Sequence, residues 1–283
     1  DVVSRSRVVE SLYNYYGYQV AGVYQDLEDI KSWPKAEKYP ADGKSFSRTN
    51  TVYPGDLKFE DISGPNGEPD GIINEYDRTN IGSPLPKFTF GLNNTFNYKN
   101  IDLTVFINGS YGNKVLNYMS RNLNNMESLW NNQLSVVTER ARLQQVNESF
   151  TYPRTNSTGA TVYNWFDDID NVRVANPNAT IPRAIQNDPN DNTRLSDRYI
   201  EDGSYLRVKN IVLGYNFDKK LVRKLHLETL RVYANVQNLV TLTKYSGFDP
   251  EIGVSTASVN VYGLDNGRYP SPQIYSFGLN LSF

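Results

Sequence analysis

Along residues 87–98 apolar and polar positions alternate. Phe88, Phe90, Leu92, Phe96 and Tyr98 take the even positions together with Asn94, while Lys87, Thr89, Gly91, Asn93, Thr95 and Asn97 take the odd ones. A period of two sustained this long predicts a β-strand with one apolar face. Lys99-Asn100 then predicts a tight turn, after which Ile101, Leu103, Val105 and Ile107 share one face and Asp102, Thr104 and Asn108 the other, with Phe106 as the exception. Two such runs joined by a short polar turn predict a hairpin.

Three further strands follow the same rule. In 204–217, Leu206 and Val208 share a parity that Ile211, Leu213, Tyr215 and Phe217 do not, so a β-bulge is expected near Lys209-Asn210. In 229–242, Leu230, Val232, Ala234, Val236, Val240 and Leu242 oppose Arg231, Asn235, Gln237 and Thr241. The last strand, 273–283, alternates Tyr275, Phe277, Leu279, Leu281 and Phe283 with Ser276, Gly278, Asn280 and Ser282. Strands in globular proteins usually run to about five or six residues. At roughly 3.3 Å per residue and a tilt near 45°, about eleven residues cross an apolar band of roughly 25 Å. The runs match that crossing length, which a soluble β-sandwich has no need of.

The connections agree. Links 99–100 and 218–228 are short, whereas 112–203 and 243–272 are long and polar, the division that bacterial barrels make between periplasm and exterior. Running the final strand towards the periplasm sets 229–242 outward, 204–217 inward, 101–112 outward and 87–98 inward. Residues 1–86 are then expected as an extracellular loop region. Residues 87–283 are expected to hold the last five transmembrane strands, with a large extracellular loop at 113–202. Five strands cannot close a barrel without leaving backbone polar groups unpaired in lipid. The opening Asp1-Val2-Val3-Ser4 has no basic-then-apolar pattern of a signal peptide, so a C-terminal portion of a larger barrel is expected.

Composition narrows the chemistry. The 283 residues include 21 Tyr, 12 Phe and 3 Trp, and 39% are hydrophobic, low hydropathy for so aromatic a chain. A wet lumen face on every strand accounts for that combination. The net charge of −2 offers no basic footprint for nucleic acid. With no Cys and one His, thiolate metal sites, disulfides, cysteine nucleophiles and a Ser-His-Asp hydrolase are disfavoured, and no enzyme is expected. His226 falls in the 218–228 turn beside Lys219, Lys220, Arg223 and Lys224, a solvated turn with snorkelling cations.

Several motifs are more specific than a generic barrel. Tyr15-Tyr16-Gly17-Tyr18 with Gly22-Val23-Tyr24-Gln25, Pro54-Gly55-Asp56-Leu57-Lys58-Phe59, and Asp70-Gly71-Ile72-Ile73-Asn74 with Asp77-Arg78, Ile81-Gly82 and Pro86-Lys87-Phe88 form one set. Ser196-Asp197-Arg198-Tyr199 through Glu201-Asp202-Gly203-Ser204-Tyr205-Leu206-Arg207, Gln237-Asn238-Leu239, Lys244-Tyr245-Ser246-Gly247-Phe248-Asp249-Pro250-Glu251 and the ending Phe277–Phe283 form another. In order along the chain, they resemble SusC/RagA-type TonB-dependent outer-membrane transporters; residues 113–195 carry no such motif. The resemblance implies an all-β fold, a transmembrane antiparallel β-barrel of 22 strands with long extracellular loops, of which these would be the C-terminal strands. It also implies a plug domain, a SusD-like surface lipoprotein, TonB as energy source, and import of a bulky oligosaccharide or oligopeptide. A passive porin or an adhesin barrel is the alternative.

Candidate sites follow. Setting Asp77 at position 12 of an EF-hand-like loop puts Asn66 at 1, Glu68 at 3, Asp70 at 5 and Ile72, through its carbonyl, at 7. Against calcium stand the Asp at position 12, the residues inserted by comparison with relatives and the displaced Asp61, which favour a Gly/Pro/Asp-rich turn held by Asx-type hydrogen bonds. Trp165 with Asp167 and Asp168, and Trp130, are candidate cargo contacts, an indole face stacking on a sugar ring while carboxylates accept hydroxyls; inward packing is the competing account. Leu116, Met119, Leu123, Met126, Leu129 and Trp130 approximate helical spacing. Arg207, Lys209, Arg231 and Asn235 are expected on the lumen face, paired with the plug or solvent. Phe283, Leu281 and Phe277 resemble the terminal signal read by the barrel assembly machinery, and their apolar side would contact outer-membrane lipid.

Overall fold

The computed structural model describes residues 3–7, 10–128, 130–224, 226–253 and 262–283. Asp1, Val2 and Leu129, named above, lie outside the described residues. The chain divides into two compact units, residues 1–10, 14–82 and 117–200 in one and 11–13, 83–116 and 201–283 in the other. The connection expected as a loop at 113–202 therefore contributes most of its length to the same unit as residues 14–82.

In the second unit five long strands stand where alternation puts them: β1 (Phe88–Tyr98), β2 (Ile101–Tyr111), β3 (Tyr205–Asn216), β4 (Thr229–Thr243) and β5 (Ile274–Ser282). They form one antiparallel sheet in chain order, each strand paired with the next. Lys99 turns the first hairpin at φ 53°, the left-handed region that non-glycine residues seldom occupy. The register aligns the apolar sets. Phe96, Leu103, Leu213, Ala234 and Phe277 lie opposite one another across all five strands, and Tyr98, Ile101, Tyr215, Val232 and Leu279 make the adjacent apolar row. On the reverse face run Thr95, Thr104, Val212, Asn235 and Ser276.

The bulge falls where parity breaks. Val208 faces Ile107 and Asn210 faces Phe106, so Lys209 is extra against β2; on the other side Val208 faces Val240 and Asn210 faces Gln237, leaving Asn238 and Leu239 against Lys209. Because a one-residue slip sends every side chain to the wrong face, these insertions are what keep Leu206 and Val208 in the apolar set. Between β3 and β4 the chain adds a helical turn at Lys219–Arg223, and His226 follows it at φ 60°.

The first unit is built differently, from strands of two to four residues and single 3₁₀ turns. Asn14–Gly17 pairs with Thr79–Gly82, Val20–Val23 with Leu57–Phe59, and Leu143–Gln145 with Val172–Val174. Its α-helix Leu27–Ser32 is capped by Asp26, whose carboxylate accepts the Asp29 N–H at 2.9 Å. Tyr24, Ile30, Val52, Tyr53, Ile169 and Val172 form its core. The helix expected over 116–130 is shorter: Leu116 lies on a strand, Lys114–Asn117, and the helix is Tyr118–Leu123. Asn117 caps its start by accepting the Ser120 N–H at 2.8 Å. Past Leu123 the run Asn124-Asn125 does not sustain a helix, because the amide side chains compete for the backbone.

Candidate functional site

Polar side chains on the reverse face of the sheet form two charged clusters. Asp102 on β2 accepts from Arg231 Nε at 3.1 Å and from Asn216 Nδ2 at 3.0 Å, so the ion pair reaches across β3. Gly214 stands opposite Asp102, and a Cβ there would come within 2.5 Å of its carboxylate oxygens. Glycine is required because the pair needs that space.

Arg207 is the second centre. It is 2% exposed, and donates from Nε to Thr241 Oγ1 at 2.8 Å, from Nη1 to Glu251 Oε2 at 2.7 Å, and from Nη2 to Asp249 Oδ1. Lys209 Nζ reaches the same Glu251 oxygen at 3.1 Å. Arg207, Lys209 and Arg231, expected to pair with a plug or solvent, thus find their partners in this chain; Asn235 shares their face.

The candidate cargo contacts scatter. Trp165 packs, half buried, against the core of the first unit, its ring edge-on to Phe166. Asp167 is held by Arg48 Nε at 3.1 Å and Asn164 Nδ2 at 2.9 Å. Asp168 is fully buried, accepting the Tyr152 hydroxyl at 3.0 Å and facing Arg154 Nη1 at 3.0 Å. Burial takes Asp168 out of reach of a sugar hydroxyl, which corrects that expectation. Trp130 stands apart at 93% exposed.

The loop considered for calcium is closed by its own backbone. Asp77, fully buried, accepts from Ile62 N at 2.9 Å, Ser63 N at 3.1 Å and Asn74 N at 2.7 Å. Asp70 accepts from Ile72 N at 3.0 Å, and Asp61 from Gly71 N at 2.7 Å. Asn66 and Glu68 are exposed on the turn. Among the described residues no group of three acidic, His or Cys side chains is placed to hold a metal ion. The carboxylates that calcium would need serve as Asx-type turn acceptors instead. On β5 and just beyond it, Phe277 and Phe283 are among the most exposed apolar side chains of the chain, with Leu281 half exposed between them.

A third cluster, which the sequence did not single out by role, lies inside the first unit. Arg183 grips Asp56 with two bonds, Nε–Oδ1 at 2.7 Å and Nη2–Oδ2 at 3.0 Å, both side chains buried. Asn192 Nδ2 links Asp56 at 3.1 Å to Asp188 at 2.8 Å. Gly55, at φ 93°, lets the Arg183 stem approach to 2.9 Å of where a Cβ would stand. Burial, and then the Asp56 charge, push the Asp188 carboxyl up to about 6.

Comparison with known proteins decides the kinship. Over 279 residues, 97% of this chain and 22% of the relative, the chain is 32% identical to TonB-dependent receptor P3 of Formosa agariphila. It is 37% identical over 90 residues to TonB-dependent receptor SusC of Bacteroides thetaiotaomicron, covering 31% of this chain and 8% of SusC. The chain's homologues are TonB-dependent receptors. It spans about a fifth of the length of those it matches from end to end. Among solved structures, the RagAB peptide transporter has the same fold over 96% of this chain and 23% of that one, with a TM-score of 0.56 at 20% identity. No family model matches. These relatives and neighbours are named receptors and transporters.

Against these TonB-dependent receptors the missed residues make sense as motif members without visible partners. Asp56 sits in Pro54-Gly55-Asp56, and Asp249 and Glu251 sit in Phe248-Asp249-Pro250-Glu251, both already noted as receptor-like. What linear reading lacked was the other half of each pair, Arg183 lying 127 residues from Asp56 and Arg207 lying 42 residues from Asp249.

Proposed function

We propose that the chain is the C-terminal part of a 22-stranded outer-membrane transporter of the TonB-dependent type, in which β1–β5 cross the membrane. The observation that carries this reading is the sheet with one continuous apolar face and one charged, hydrogen-bonded face. From strand spacing and rise the apolar face covers roughly 700 Å², beyond the ~300–600 Å² of the largest patch on a typical soluble monomer. From Leu230 to Leu242 a strand tilted ~45° rises on the order of 28 Å, close to the ~25 Å apolar band of such barrels. The reverse face then lines the lumen, and the first unit is extracellular.

The transporter imports a bulky nutrient with a SusD-like lipoprotein over its mouth and TonB supplying energy through the part of the barrel that carries the plug. Since the solved RagAB relatives are peptide transporters, oligopeptide is the first cargo to test and oligosaccharide the second. In the whole transporter in outer-membrane vesicles, cysteines at Asn235 and Val236 test the faces. A water-soluble maleimide should modify Asn235→Cys and spare Val236→Cys; equal labelling would sink the membrane reading. Mass spectrometry of small molecules co-purified with the complex reads the cargo, and liposome swelling by small solutes without energy coupling would favour a porin.

A further inference from the structure

We propose that Arg207 is a positioning residue of the import path, holding the neck of the β4–β5 connection against the polar face of the sheet. The inference rests on the reading above, in which that face borders the lumen.

Arg207 is the third residue of β3, and a guanidinium buried there is costly unless its donors are met. Here they are met by the connection that follows β4. Asp249 and Glu251 both come down onto Arg207, and Lys209, placed by the bulge, adds a second cation to Glu251. Both limbs of the connection are tied to the same centre. Asp249 also accepts the N–H of Ser271 from the returning limb at 3.0 Å, and Arg268 Nη1 donates to the Glu251 carbonyl at 3.3 Å. Higher up, the Tyr245 hydroxyl joins Asp265 across the two limbs. The neck is thus a ring of polar contacts that Arg207, with Lys209 beside it, ties to the sheet face.

Within the clasp, Asp249 is held in its charged form. Burial alone would raise the Asp249 carboxyl, but the N–H groups of Glu251 and Ser271 and the Arg207 guanidinium outweigh it and hold the group below the usual carboxylate range. Its contribution is complete above the ordinary carboxylate value and is lost only in stronger acid, so the neck keeps its place from pH 5 to 8.

The test uses the full-length transporter in its own outer membrane. In Arg207→Met, hydrogen exchange of residues 245–251 and 265–272 should rise at least tenfold, while the barrel still migrates as a folded, heat-modifiable band. Uptake of fluorescein-labelled tryptic casein peptides should fall several-fold. Arg207→Lys, which keeps the charge but not the forked geometry, should recover part of both. If Arg207→Met does not assemble, Asp249→Asn with Glu251→Gln opens the same ring and carries the same expectation. Unchanged exchange at the neck, or raised exchange with wild-type uptake, overturns the inference. Absence of uptake by the wild type counts instead against the cargo reading, and failure of the Asn235/Val236 labelling counts against the membrane reading.

Discussion

In the sheet unit Phe277, at 86% exposed, is the extreme of an apolar set on β1–β5 that is largely open to the surroundings. In the other unit Tyr24 and Tyr53 are wholly enclosed, and burial drives both phenols above their ordinary range. The same residue types are exposed in one unit and enclosed in the other. One unit holds together by hiding aromatics from water and stitching short strands with Asx turns and buried ion pairs. The other holds together by backbone pairing and cross-strand polar contacts, leaving one apolar face of its sheet uncovered. A chain with 39% hydrophobic residues builds both because only one unit spends them on a core.

The contrast is sharpest at the apolar face. Leu213→Arg should cost ~2–4 kcal/mol at the centre of a bilayer and remove the folded band from outer-membrane fractions, whereas Val212→Arg, one position along on the polar face, should assemble. Equal loss in both would erase the distinction between the faces. In the loop unit the largest effect belongs to a charge pair. Asp56→Ala leaves Arg183 buried and unpaired at a cost of ~3–5 kcal/mol, read as rapid protease cleavage within 14–82 while the sheet stays resistant.

A smaller effect comes from Asp188. Its carboxyl, pushed up to about 6 by burial and by Asp56, is charged above that pH at a cost to the folded state and binds its proton more tightly folded than unfolded. Stability of this unit should therefore rise as pH falls from 7 towards 4, by ~2–3 kcal/mol at most. Asp188→Asn should take that gain at pH 7 and flatten the profile, measured by thermal inactivation of protease resistance. Smallest is Trp130→Ala, within ~0.5 kcal/mol of wild type in stability; a change in cargo uptake without a change in stability would make Trp130 a contact.

Legibility followed the same division. The five strands and the bulge at Lys209 could be read from parity, because a two-residue period leaves a local trace. The first unit left none: its strands are too short for a period, and its integrity depends on partners such as Arg183 and Asp56, or Arg48 and Asp167, brought together from more than a hundred residues apart. Asp70 and Asp77 looked like cation ligands because turn acceptors and cation ligands are the same residue types at similar spacings. Only the direction of the surrounding N–H groups separates the two uses.

The inserted residues at Lys209 and at Asn238-Leu239 have one more consequence. Removing Lys209 from the order Leu206, Arg207, Val208, Asn210, Ile211 leaves a perfect in–out count, and removing Asn238 and Leu239 together does the same for β4. Neighbouring strands can therefore take up unequal lengths of chain without sending a single side chain to the opposite face.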